Sequence, residues 1–516
     1  MLNDSPKPRL GAKQPLTLLA ALLLGTVASS TAMADNYANF FGDALATGDF
    51  DGDDYPDLAV GVQGANESGL YDSGRVDIFE GNGSGLSSTA ADSFIQGSGG
   101  VGESAEDSDF FGDTLAAGDF DGDGYDDLAI GSPFEDRRGK TDAGVVQTLY
   151  GTASGLSTSG DQVWDQDVSG VLGMVNPGER FGEALASGDF DGDGYDDLAI
   201  GAPEYNGSGA TETGEVLILP GSSAGLTASG DQLCDQSNSS ISGTAEADDH
   251  FGEALAAGEF DGDGYDDLAI GVPGESLSGL AEAGRVVVLY GSSGGLLASG
   301  SQGWHQNSSG VSGTAEADDR FGHAVTAGDF DGDGYDDLAI GAPFDSVGSI
   351  ADSGYMTVLY GGSGGLSSSG SSGFSQSSSG IPGNAEEDDV FSASLAAGDF
   401  DGDGRDDLMV GAPQEGLSSF LWSGRAVEMS GTSSGLTGTG AVGWHQDTSG
   451  VLGENEDIQF FGWALATADF DQDGYDDVAI GIPNDFYDAT GDGGSVSVIF
   501  GSGSGLTYVG DQILSD

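Results

Sequence analysis

A Phe-Gly pair returns every 70 residues along this chain, and that interval limits the folds open to it. The pairs are Phe41-Gly42, Phe111-Gly112, Phe181-Gly182, Phe251-Gly252, Phe321-Gly322 and Phe461-Gly462, with Phe391-Ser392 in the remaining register. Gly61, Gly131, Gly201, Gly271, Gly341, Gly411 and Gly481 open a G-x-P-like turn at the same interval, with Gln63 standing where proline is expected in the first copy. Phe94, Trp164, Cys234, Trp304, Phe374, Trp444 and Leu514 share one apolar register. Self-similarity over such a period marks an array of supersecondary units, each too small to bury its own apolar face alone. Cys234, the sole cysteine, then reads as a small core residue, and no internal disulfide can form.

Each copy reads as four short strands. In the third copy residues 183–186 follow Phe-Gly, an acidic loop leads to 197–200, and 216–219 come next. The fourth strand carries the apolar register, as at 162–164, and Gly-Ser turns such as 221–225 precede it. Four strands repeated seven times predict an all-β fold, a seven-bladed β-propeller with four antiparallel strands per blade. The first and last blades are expected to pack side by side without an exchanged strand; an open solenoid is the alternative. Lys7, Arg9 and Lys13, the apolar stretch 16–27 and Ala32-Met33-Ala34 predict a signal peptide over 1–34, against a short membrane anchor. Residues 35–516 are then an exported propeller, secreted or periplasmic, with no membrane insertion.

The acidic loop between strands 1 and 2 is the chemical signal. Its positions 1, 3, 5, 7 and 9 hold Asp49, Asp51, Asp53, Tyr55 and Asp57 in the first copy and Asp119, Asp121, Asp123, Tyr125 and Asp127 in the second. The third and fourth copies have Asp189, Asp191, Asp193, Tyr195, Asp197 and Glu259, Asp261, Asp263, Tyr265, Asp267. The last three have Asp329, Asp331, Asp333, Tyr335, Asp337; Asp399, Asp401, Asp403, Arg405, Asp407; and Asp469, Asp471, Asp473, Tyr475, Asp477. Four carboxylates with one backbone carbonyl from position 7 suit Ca2+, which takes six to eight hard oxygens, better than Mg2+ with its strict octahedron. Zinc would want His or Cys. An EF-hand needs Glu at position 12, where Val60, Ile130, Ile200, Ile270, Ile340, Val410 and Ile480 stand. Without a cation such carboxylates repel one another. Up to seven Ca2+ ions are expected, with the first site weakest because Asp54 replaces glycine at position 6. Glu259 alters its site's geometry, while Arg405 at position 7 and Gln472 at position 4 are expected to matter less.

The Phe-Gly pair, the D-x-D-x-D-G-x-x-D loop and the Gly-Ala-Pro at Gly201, Gly341 and Gly411 resemble the FG-GAP repeat of the integrin α-subunit propeller. The resemblance implies calcium in the hairpin between strands 1 and 2, on the lower face, and ligands on the upper face formed by the 2–3 and 4–1 loops. Unlike integrins, which use only some, this chain carries the loop in all seven copies, and neither a closing N-terminal strand nor leg domains nor a membrane anchor is expected. It is more similar to a bacterial exported FG-GAP protein than to a receptor.

A formal net charge of −75 excludes nonspecific nucleic-acid binding, because phosphates would be repelled. No catalytic set stands out. The G-x-S-x-G strings at 221–225, 291–295, 361–365 and 431–435 recur in a turn and are not nucleophile elbows. His305 and His445 share a register beside strand-4 tryptophans. Arg75, Arg285 and Arg425 are expected to pair with acidic neighbours, and Arg180, His250 and Arg320 to line the upper end of the channel. Arg137, Arg138 and Lys140 form the one basic cluster. The expectation is a monomeric adhesion or binding module whose upper loops meet a protein or surface polysaccharide. A lectin or polysaccharide-active enzyme, and a calcium-loaded structural protein of the cell surface, are the alternatives.

Overall fold

The computed structural model describes residues 39–207, 209–485 and 493–516; the expected signal peptide at 1–34 lies outside the described residues. Blade 1 contains Phe41–Gly48, Asp57–Val62, Val76–Phe79 and Asp92–Phe94 as strands 1 to 4. Six further copies follow, through Leu465–Ala468, Asp477–Ile482, Ser495–Phe500 and Thr507–Leu514 of blade 7. Every sheet runs 1-2-3-4 in order, and every pairing is antiparallel. Among the described residues the fold is all-β, a seven-bladed β-propeller.

Strand 2 explains the local sequence. All of its residues are buried in every blade, because both faces of a blade are covered by neighbours. A strand buried on both faces reads as a continuous apolar run such as Asp197–Ala202, without the alternation of a half-solvated sheet. The cores therefore lie between blades. Phe190, Ile218 and Cys234 of blade 3, for example, pack with Phe251, Leu268, Ile270 and Val287 of blade 4. Cys234 is the expected core residue, and burial pushes its thiol up to about 12. Strand 1 of each blade touches strand 1 of both neighbours, so these strands surround the central axis.

The ring closes between blades 7 and 1 without an exchanged strand. Phe41 bridges Gly494 in parallel, as Phe111 bridges Gly74 and Phe181 bridges Gly144. A β-carbon on Gly144, at φ 83°, would come within 2.2 Å of the Phe181 carbonyl oxygen, so the bridge requires glycine twice over. Phe41, Val60, Phe79 and Leu86 share a core with Phe470, Val496, Val498 and Leu514. The Gln512 amide exchanges two hydrogen bonds of 3.0 Å with the Leu86 backbone, as Gln232 does with Leu296 between blades 3 and 4.

The second residue of each acidic loop is a phenylalanine with no exposed surface: Phe50, Phe120, Phe190, Phe260, Phe330, Phe400 and Phe470. It plugs the lower end of each interblade core while its neighbours carry the carboxylates. Truncation opens a cavity that close-packed strands cannot collapse. Phe190→Ala is expected to lower stability by about 3–5 kcal/mol, measured by chemical denaturation in calcium.

Candidate metal centres on the lower face

Each hairpin between strands 1 and 2 folds its carboxylates inward by bonding them to its own backbone. In blade 1 the Asp49 carboxylate accepts the N–H groups of Gly52, Asp53 and Asp54 at 2.8, 3.1 and 3.0 Å. Asp51 accepts the Asp53 N–H at 3.1 Å, and Asp53 accepts the Tyr55 N–H at 3.0 Å. The same ladder recurs around Asp119, Asp329 and Asp469. The result is a set of oxygens within 4.8 Å of one another: Asp49, Asp51 and Asp53; Asp119, Asp121 and Asp127; Asp189, Asp191 and Asp193; Glu259, Asp261 and Asp263; Asp329, Asp331 and Asp333. The donor set is all hard oxygen, which suits a divalent cation. Asp261 Oδ1, Asp331 Oδ1 and Asp407 Oδ2 are buried without a hydrogen-bond partner, as oxygens left for an ion would be.

Position 9 is tied differently. Asp57 accepts the Phe50 N–H at 3.2 Å and the Gly81 N–H at 2.9 Å, so it staples the hairpin to the turn between strands 3 and 4. Asp127, Asp267 and Asp477 do the same. Burial pushes Asp57, Asp197, Asp267 and Asp407 up to about 7 and Asp127, Asp337 and Asp477 up to about 8, with facing loop carboxylates adding to the rise. Position 7 contributes packing: the Tyr125 ring lies against Gly52 of the preceding blade, and Tyr195, Tyr265, Tyr335 and Tyr475 lie against Gly122, Gly192, Gly262 and Gly402.

The sequence reading missed position 8. Asp126 donates its backbone N–H to the Asp49 carbonyl at 3.0 Å, and its carboxylate accepts the Asp49 N–H at 2.9 Å. Asp196, Asp266, Asp336, Asp406 and Asp476 clamp the preceding hairpin in the same way. Aspartate beside position 9 in six of the seven copies was the available signal, and the exception is informative. Blade 1 has Pro56, which has no N–H and no carboxylate, so the belt is interrupted between blades 7 and 1. There the Gln472 amide donates to the Asp54 carbonyl instead. Asp196→Ala is expected to cost about 1–3 kcal/mol by leaving the Asp119 N–H unbonded, read as a shift in the denaturation midpoint.

The departures act through the backbone and through charge. Asp54 has φ 72° where Gly124 has 91°, so the first loop carries a strained residue at position 6 as expected. Position 4 is left-handed too: the glycines there have φ of 70–73° and Gln472 has 56°. Gln472 therefore stands in a backbone conformation that favours glycine. Arg405 acts through its side chain. Its guanidinium pairs with the Asp403 carboxylate and occupies a candidate ligand. Arg405→Tyr is expected to raise the cation affinity of the sixth hairpin alone, visible by calorimetry. At position 1 of the fourth hairpin, Glu259 accepts the Gly264 N–H at 2.8 Å.

The described arginines are engaged in ion pairs. Arg75 meets Glu67, Asp77 and Asp516; Arg285 meets Glu275; Arg425 meets Glu415. Arg137 lies between Glu103 and Asp165, and Arg138 faces Asp167 at 3.5 Å, which makes this 2–3 loop charge-balanced. Arg180 is paired with Glu183 and Glu204, and Arg320 with Glu282. Trp164 and Trp444 are buried, in the core register. Burial lowers His305 and His445.

Comparison with known proteins agrees with this architecture. The FG-GAP repeat pattern matches at 41–79, 111–149, 181–219, 251–289, 321–359, 391–442 and 461–499. Integrin alpha-PS2 of Drosophila melanogaster is 35% identical over 245 residues, which cover 46% of this chain and 16% of the integrin. Phosphatidylinositol-glycan-specific phospholipase D of Rattus norvegicus is 37% identical over 159 residues, or 31% of this chain and 18% of the phospholipase. The chain thus spans less than a fifth of either relative. The solved exotype rhamnogalacturonan lyase YesX matches at a TM-score of 0.42 and 12% identity, covering 90% of this chain and 72% of that one. With the repeat pattern found in each of seven blades, the chain belongs to the FG-GAP repeat family and is an integrin-α-like propeller.

Proposed function

We propose that this protein is an exported, calcium-stabilised binding module: Ca2+ in the lower hairpins holds the blades, and the upper 2–3 and 4–1 loops contact a protein or a surface glycan. The observation that carries the calcium half is the recurring set of carboxylate oxygens within 4.8 Å, folded inward by backbone N–H groups. Asp, backbone carbonyl and water at these hairpins make the oxygen-rich coordination that Ca2+ favours. The binding half rests on exposed apolar side chains of the upper loops. Tyr71 and Leu421 stand in equivalent 2–3 loops, and Leu172, Met174 and Leu452 in 4–1 loops, all exposed. Single exposed apolar residues are ordinary; these five all stand in loops at the blade ends opposite the hairpins, which favours that face for a partner. No helix among the described residues is long and apolar enough to cross a membrane.

The test is attachment. Immobilised protein is probed with cells and with a glycan array, beside the variant Tyr71→Ser/Met174→Ser/Leu421→Ser. Loss of attachment by the variant, with an unchanged melting temperature, supports the reading. Attachment unaffected by the three substitutions rejects the upper loops as the contact surface. Glycan binding in calcium that the substitutions abolish assigns the partner as carbohydrate.

A further inference from the structure

The residue two places after each Phe-Gly phenylalanine stands where strand 1 enters the blade, at the upper end of the central channel. Around the ring these residues are Asp43, Asp113, Glu183, Glu253, His323, Ala393 and Trp463. Four consecutive blades contribute a carboxyl group and the remaining three contribute none. Strand 1 of each blade contacts the next, so the seven positions surround one axis.

The four acids are not equally provided for. Glu253 faces His323 Nδ1 at 3.0 Å and is held below the usual range despite its burial, chiefly by His323. Asp43 accepts hydrogen bonds from the Gln63 amide and from Trp463, which also accounts for glutamine in place of proline in the first copy. Glu183 has one oxygen 3.4 Å from Arg180, which lies equally far from Glu204. Its other oxygen, Oε2, is buried without a partner. Asp113 is 7% exposed, and its Oδ1 is also buried without a partner. The charges of Asp43 and Asp113 raise one neighbour after the other: burial first, then Asp43, lift Asp113 to about 8, and Asp113 in turn adds to the rise at Glu183. These acids stand at the same register of touching first strands on adjacent blades, near enough to disfavour one another's charge, and two of their oxygens are orphaned. Leaving such oxygens dry costs free energy unless a ligand meets them.

We propose that Asp113 and Glu183, with Asp43 beside them, form a divalent-cation site at the upper mouth of the central channel, separate from the seven hairpins. Asp113 Oδ1 and Glu183 Oε2, buried without donors, suit a divalent cation, and because Ala393 and Trp463 are neutral and Glu253 is paired with His323, the remaining acids fall on blades 1 to 3. An ion here would present its open coordination positions to the upper face, where a partner binds. The hairpins lie at the other end of strand 1, so this site stands or falls independently of them.

Terbium is the probe, because Trp463 adjoins Asp43 whereas the hairpins carry tyrosines. Metal-stripped full-length protein is titrated with Tb3+, and emission is compared under tryptophan-selective and tyrosine excitation. The expected result is tryptophan-sensitised emission that Ca2+ competes away, that Asp113→Asn/Glu183→Gln abolishes, and that Trp463→Phe abolishes too. Tyrosine-sensitised emission from the hairpins persists in both variants and shows that they are folded. Calorimetry with Ca2+ then counts one ion fewer in the double variant. Absence of tryptophan-sensitised emission in the wild type, or emission unchanged by Asp113→Asn/Glu183→Gln, overturns the proposal. In that case Asp113 and Glu183 hold protons rather than a metal.

Discussion

Stripping calcium from this protein is expected to collapse its melting temperature. Extracellular calcium modules bind with dissociation constants of roughly 0.1–1 mM. At free calcium tenfold above that, each filled hairpin adds about 1.4 kcal/mol by mass action. Seven independent hairpins add about 10 kcal/mol, comparable to the whole stability of an ordinary domain. The geometry gives the effect a route into the fold. Position 9 is bonded to the turn between strands 3 and 4, and position 8 is bonded to the preceding hairpin, so loosening one loop loosens a blade and its neighbour. Thermal melts followed by circular dichroism, in chelator and in calcium, check this, with calorimetry to count ions. A melting temperature indifferent to chelator would reduce the hairpins to a solvated acidic coat.

The second large effect concerns pH, and its direction reverses with the metal. The position-9 carboxyls have folded values of about 7 to 8 against an ordinary 3.8, because burial and facing carboxylates disfavour their charge. A group raised on folding stabilises fully below its unfolded value, and that contribution is lost as pH rises through the folded value. Metal-free protein is therefore expected to melt several degrees higher at pH 5 than at pH 8. Self-repulsion of a chain with a formal charge of −75 acts in the same direction. With calcium bound, the ion replaces the proton, binding releases protons, and affinity rises with pH. At saturating calcium the trend flattens or inverts. The check is a set of melts at both pH values, on desalted metal-free protein and on calcium-saturated protein. A metal-free form more stable at pH 8 would show that protons do not stand in for the metal.

Much of this was legible from spacing. The 70-residue interval set the blade count, and the apolar runs at positions 10 to 12 of each loop matched strands buried on both faces. The core register of Cys234, Trp164 and Trp444 followed from the same interval. The candidate ligands at positions 1, 3 and 5 were legible because they lie within one hairpin, where local backbone geometry gathers them in four of the five groups named above, while position 9 joins such a group only at Asp127. Residues that act across a blade boundary were not. Asp126 reads as one more acidic residue until it is seen to bond the Asp49 backbone of the preceding blade. Arg405 was set aside because only its carbonyl seemed relevant, whereas its side chain reaches Asp403.

Repeat number, strand order and the inward-folded hairpins are encoded locally, since each depends on residues a few positions apart that recur unchanged. Closure of the ring and the asymmetry of its centre depend on contacts between copies. Pro56 breaks the belt only because Asp469 is its neighbour around the axis, and Asp113 is left without a partner only because Asp43 and Glu183 flank it. Such contacts join residues 70 or more positions apart, and only the curvature of seven stacked sheets determines which of them meet.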